Sequence, residues 1–140
     1  MTKKLWVLLL SACIGLGTLV AQDINTLMER AQKGNAEAQF NLGYMYRAGQ
    51  GVPQDYAQAT KWARLAADQG YASAQYILGL VYLFGQEGVP QDYVQAHMWL
   101  NLAAAQGNAD GEKNRDLLAK RMTPQQIERA QELARNWKPK

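Results

Sequence analysis

Gly49-Gln50-Gly51-Val52-Pro53-Gln54-Asp55-Tyr56-Ala57-Gln58-Ala59 returns as Gly85-Gln86-Glu87-Gly88-Val89-Pro90-Gln91-Asp92-Tyr93-Val94-Gln95-Ala96. The echo runs on downstream, where Trp62, Leu65, Ala66, Ala67, Gln69 and Gly70 reappear as Trp99, Leu102, Ala103, Ala104, Gln106 and Gly107. Upstream, Ala38-Gln39, Leu42-Gly43 and Tyr46 reappear as Ala74-Gln75, Leu78-Gly79 and Tyr82. Matched positions lie 36 residues apart before Glu87 and 37 after it, so Glu87 is a one-residue insertion. A period of this length marks a solenoid, in which each unit buries its apolar face against its neighbours.

Each unit resolves into two helices. Asn35 caps a helix running to about Ala48, with Ala38, Leu42 and Met45/Tyr46 on one stripe at i, i+4 and i+7/8. The Gly49-to-Pro53 segment stops that helix and turns the chain. Asp55 with Gln58, and Asp92 with Gln95, read as capping boxes that open the second helices, which end near Gly70 and Gly107. Gly43 and Gly79 fall inside helices, where glycine costs about 1 kcal/mol relative to alanine. Their recurrence in register implies close approach of the paired helix. Residues 23–33 read as a leading helix, 35–70 and 71–107 as the full units, and 108–137 as a degenerate third unit and cap. In that third unit Arg115, Asp116 and Ala119 stand where Leu, Gly and Tyr are expected. Thr123-Pro124-Gln125-Gln126 starts a last helix with Ile127, Ala130, Ala134 and Trp137 on one face, as a solenoid cap requires.

The Gly-x-Gly-Val-Pro-x-Asp-Tyr block, the following Ala and Trp, and the Ala-Ala-x-x-Gly close resemble the Sel1-like repeat, a relative of the tetratricopeptide repeat. The resemblance covers Asn35 to Gly107. It implies an all-α, right-handed solenoid of about seven helices with a C-terminal capping helix, acting as an adaptor or scaffold surface. Many such proteins are exported by bacteria. Some secreted members have been associated with binding or hydrolysing β-lactams, but those are rich in paired cysteines.

The N-terminus points to export. Lys3 and Lys4 precede an apolar run from Leu5 to Val20, and Ala21 offers a small residue before Gln22-Asp23. This is the pattern of a secretory signal over residues 1–21, with 22–140 as the mature domain. The run is shorter than the ~18–20 residues needed to span a bilayer. Leu10-Ser11-Ala12-Cys13 also resembles a lipobox, so the alternatives are cleavage after Ala21, giving a periplasmic or secreted protein, or acylation at Cys13, giving a membrane-anchored lipoprotein. Cys13 is the single cysteine, so cleavage after Ala21 removes every thiol from the mature chain. That chain holds 13 basic and 12 acidic residues, a balance that provides no footprint for nucleic acid. Charge is unevenly placed, with five basic and nine acidic residues in 22–112 but eight basic and three acidic in 113–140.

Catalytic chemistry is hard to assemble from these residues. His97 is the single histidine and reads as a half-exposed helix residue whose counterpart is Thr60. No second His or Cys completes a metal site, and no nucleophile–base–orienter set is present. Asp55 and Asp92 are accounted for as caps. The expectation is a non-catalytic chain with no cofactor and no metal site, binding a protein or peptide; the competing class is a cell-envelope hydrolase acting on β-lactam or cell-wall substrates. In tetratricopeptide-type solenoids the first helices line the concave face. There Glu37, Phe40, Tyr44 and Arg47 form a stripe matched by Ser73, Tyr76, Leu80 and Leu83. That stripe is either a groove for an extended peptide or a helix, or part of the core.

Overall fold

The computed structural model describes residues 23–86 and 88–140. The expected signal segment 1–21, the lipobox reading at Cys13 and the Glu87 insertion lie outside them. Among the described residues there are seven helices and no strand. These are α1 (residues 23–32), α2 (Ala36–Ala48), α3 (Tyr56–Asp68), α4 (Ala72–Phe84), α5 (Tyr93–Ala105), α6 (Ala109–Ala119) and α7 (Pro124–Asn136). They form the right-handed solenoid of paired helices expected from the repeat. From α2 to α6 each helix packs on the next, and α7 turns back onto α5.

The recurring Pro-Gln-Asp-Tyr of each copy works as a clasp between the two helices of a unit. Gly49 and Gly85 end α2 and α4 with φ of 68° and 64°, a region open to glycine because it lacks a Cβ. After the turn, Gln54 Nε2 donates to the Arg47 carbonyl at 2.9 Å, and Gln91 Nε2 donates to the Leu83 carbonyl at 2.8 Å. Both bonds satisfy carbonyls that the end of a helix leaves free. The Asp55 N–H then donates to Tyr46 O, and the Asp92 N–H to Tyr82 O, each at 2.9 Å. Their carboxylates cap α3 and α5 by accepting from the Gln58 and Gln95 N–H groups at 3.0 Å. The return half of the expected capping boxes is not made at either place. The reason is local: the cap residue's own N–H, which the glutamine would bond, already belongs to the tyrosine carbonyl across the loop. At Thr123, where no such competitor exists, the box closes in both directions with Gln126.

Helix pairing is tight where glycine allows it. A Cβ on Gly43 would lie 3.1 Å from the Ala59 carbonyl oxygen, and one on Gly79 would lie 2.8 Å from the Leu100 side chain and 3.3 Å from its backbone nitrogen. The in-register glycines therefore mark the crossing points of α2 with α3 and of α4 with α5. In α6 the Arg115-Asp116 pair replaces the corresponding Leu-Gly, and the close approach moves one turn earlier. There Gly111 faces Ala103 and the Leu100 carbonyl.

A relay of glutamines, anchored on buried Gln39 and Gln75, ties successive units together. Gln39 Nε2 donates to the Ala31 carbonyl at the end of α1, and Gln69 Nε2 donates to Gln39 Oε1 at 2.8 Å. One unit on, Gln75 Nε2 donates to the Ala67 carbonyl near the end of α3, while Gln106 Nε2 reaches both Gln75 Oε1 and Gly70 O at 2.8 Å. Each of these glutamines on a first helix, Gln39 on α2 and Gln75 on α4, thus joins the preceding second helix to the following one. The apolar core divides around this relay. One cluster holds Ala66, Ala67, Ala74, Leu78, Met98 and Trp99, and another holds Ala96, Leu100, Leu118, Met122 and Ala130. Helix α7 spans both, with Ile127 and Ala130 on the second and Ala134 and Trp137 on the first. Trp137 meets Trp99 edge-on at 6.3 Å.

Replacing Gly79 with alanine gains ~1 kcal/mol of helix propensity but forces Leu100, which is fully buried, out of its place. Overpacking of this kind costs about 1–3 kcal/mol. Gly79→Ala is therefore expected to lower the urea midpoint. A midpoint that rises instead would show that the crossing has room for a methyl group.

Candidate functional site

The first-helix stripe is split between surface and core. Glu37, Tyr44 and Arg47 are exposed, with Tyr44 at 56% of its full accessibility. Phe40, Ser73, Tyr76, Leu80 and Leu83 are half-buried. Phe40 packs against the first core cluster and lies 5.3 Å from the Tyr71 ring, while Tyr76 and Leu83 pack against the second. The eight residues do not form one continuous wall.

Three of them do converge. Phe40, Tyr44 and Arg47 line a small cavity of about 30 Å³ together with Gly43, Ala59, Thr60 and Ala63 from the α2–α3 pair and Ile77, Val81 and Gln86 from α4 and the turn after it. Its walls are almost wholly apolar, with Arg47 and Gln86 supplying the polar groups. The volume suits the tip of one side chain or a single water. The counterpart space in unit two is filled, because His97 stands for Thr60 and Leu100 for Ala63, both buried beneath α6. Two exchanges of small for large residues separate an open joint from a closed one. Ile77, Val81 and the two small residues of α3 escaped the sequence reading; the Thr60/His97 and Ala63/Leu100 mismatches between copies were the available signal.

A family model described as the Sel1 repeat matches residues 36–71 and 72–108. The chain belongs to the Sel1 repeat family. A solved structure of c5321, described as a protective antigen present in uropathogenic Escherichia coli strains and displaying an SLR fold, superposes with a TM-score of 0.76 at 38% identity. That likeness covers 81% of this chain and 24% of the other. A Sel1 repeat protein from Oxalobacter formigenes superposes with a TM-score of 0.65 at 29% identity, covering 73% of this chain and 46% of that one. Among curated proteins, the ERAD-associated E3 ubiquitin-protein ligase component HRD3A of Arabidopsis thaliana is 38% identical over 65 residues. That stretch is 46% of this chain and 10% of the relative, so the chain spans only a small part of the protein it resembles.

The Sel1 units hold few groups with unusual chemistry. No set of three His, Cys, Asp or Glu side chains converges on a possible metal position among the described residues. His97 is 3% exposed rather than half-exposed, because α6 covers the face that the sequence pattern leaves open. Its Nδ1 is buried without a hydrogen-bond partner among the described residues. Burial, reinforced by the Arg115 guanidinium and opposed by the Asp116 carboxylate, holds the imidazole below its ordinary pKa of 6.5. Arg115 itself is held by Asn101 and Asp116, each at 2.9 Å.

The unfolded chain accordingly binds a proton on His97 before the folded chain does. Stability present above the ordinary imidazole pKa is lost as pH falls through it toward the lower folded value. The urea midpoint is expected to hold steady above about pH 7 and to fall as pH drops below about 6.5. His97→Leu should flatten that dependence. An equally steep fall in the variant would assign the acid sensitivity to other groups.

Proposed function

We propose that this Sel1 repeat chain is an exported, non-catalytic scaffold that binds a protein or peptide through the exposed part of its first-helix face. The observation that carries this reading is the open apolar joint of unit one, bordered by exposed Tyr44 and Arg47, beside a unit-two joint closed by its own side chains. An apolar recess next to an exposed aromatic ring and a cation is how many binding surfaces anchor a partner side chain. Family membership supports an interaction role, as does the likeness to a component of an E3 ligase assembly. The likeness to a protective antigen of Escherichia coli strains supports a place outside the cytoplasm, in line with the Lys3-Lys4 start and the Leu5–Val20 run.

Three substitutions separate binding from folding. Tyr44→Ala and Arg47→Ala should weaken capture of the partner from periplasmic extract while leaving the thermal midpoint nearly unchanged. Ala63→Leu imports the unit-two residue and should close the joint, abolishing capture without loss of stability. Leu42→Ala, at a fully buried site, is expected to cost about 2–5 kcal/mol. If Tyr44→Ala unfolds the protein as readily as Leu42→Ala does, the stripe is structural and the reading fails.

Mass spectrometry of the native N-terminus tests export. A chain beginning at Gln22 is expected, an acylated Cys13 would indicate the anchored form, and a retained Met1 would refute both.

A further inference from the structure

A wider groove of about 440 Å³ opens where the end of α4, the start of α5 and helix α6 meet. Its base is apolar, with Leu83 and Tyr93 packed against the second core cluster and Leu118 belonging to it. Two large apolar side chains stand exposed on its walls, Phe84 at 68% and Leu117 at 51% of full accessibility. Gln91, Asn114, Lys120 and Arg121 complete the lining, which contains no Asp or Glu among the described residues. The ion pairs among the described residues, Arg115 with Asp116 and Arg129 with Glu132, involve neither of these cations.

The repeat does not require this composition. Phe84 corresponds to Ala48 in unit one, so nothing in the packing of a unit calls for a phenyl ring there. Lys120 and Arg121 correspond to Leu83 and Phe84 one unit earlier, so the degenerate third unit sets cations across from exposed apolar groups. Exposed phenyl and isobutyl groups lose the stabilisation that burial would provide, and a clustered pair of them on a surface marks a contact site. The volume falls within the range of ligand and peptide clefts, and the two cations, which form no ion pair among the described residues, select for negative charge.

We infer that this groove is a second docking site, which receives a segment of a partner protein carrying an apolar side chain flanked by carboxylates. The apolar side chain lies against Phe84 and Leu117, and the carboxylates face Lys120 and Arg121. The site goes beyond the unit-one joint and shares no lining residue with it.

Fluorescence anisotropy with two labelled hexapeptides tests this. One has the sequence Glu-Glu-Leu-Phe-Glu-Glu, and the other replaces each glutamate with lysine. The acidic probe is expected to bind and to release as sodium chloride is raised. Phe84→Ser, Leu117→Ser and the Lys120→Glu/Arg121→Glu double variant should each weaken it about tenfold or more. All four positions are exposed, and thermal melts confirm folding; should a serine variant fail to fold, the charge-reversal variant decides alone. Tyr44→Ala should leave binding of this probe unchanged, which keeps the result independent of the unit-one reading. Equal binding of the basic probe, no binding of the acidic one, or indifference to the substitutions would overturn the proposal. So would loss of binding in Tyr44→Ala, or a dimer in solution that Phe84→Ser dissolves, since a second copy would then be what covers the groove.

Discussion

The stack depends on one buried side chain per unit that holds three helices at once. Gln75 is fully buried, accepts from Gln106 and donates to the Ala67 carbonyl, so α3, α4 and α5 share one amide. An amide has the donors and acceptors to do this, and a buried polar group left unpaired would cost about 1–3 kcal/mol. The next place in the series is Glu112, which is exposed on α6. A carboxylate has no proton with which to reach the carbonyl behind it. The relay stops there, and the following helix folds back across both core clusters instead of continuing the array.

Within the frame set by that relay, glycine and alanine decide how closely the helices of a unit approach, and a few larger residues decide what fills the joints. Leu100 against Gly79 closes unit two; Ala63 near Gly43 leaves unit one with a recess. The same exchange explains the environment of His97, which occupies the place of Thr60 and is sealed by α6. Copies of one sequence motif thus provide a closed joint and an open one side by side. The two candidate contact regions lie at successive joints that share helix α4, one at the open joint and one where the third unit departs from the pattern.

Much of the architecture was legible from the sequence because periodicity exposes it. The helix pairs, the caps at Asn35, Asp55 and Asp92, the crossing glycines and the apolar face of α7 all follow from residues whose partners are local or recur in register. What was not legible depends on contacts that one copy does not share with the other. The return bonds of Gln58 and Gln95 fail because Tyr46 and Tyr82 reach the cap N–H groups across a loop. The burial of His97 comes from α6, where the repeat pattern has decayed and no longer forecasts packing. The groove beside Phe84 and Leu117 likewise joins a full unit to a degenerate one.

The links between units are mostly neutral amides, backbone carbonyls and apolar side chains, with the Arg64 guanidinium on Tyr82 as a charged exception, so little of their strength rests on ionic attraction. Salt screens exposed charges separated by more than a Debye length of about 8 Å at physiological strength, yet it has little purchase on a bond between two neutral amides. The curvature of the array is thereby decoupled from the charge pattern on its surface. Charged surface positions that make no contact between helices are free to diverge from unit to unit, whereas Arg115, bonded to Asn101 across the α5–α6 contact, is not.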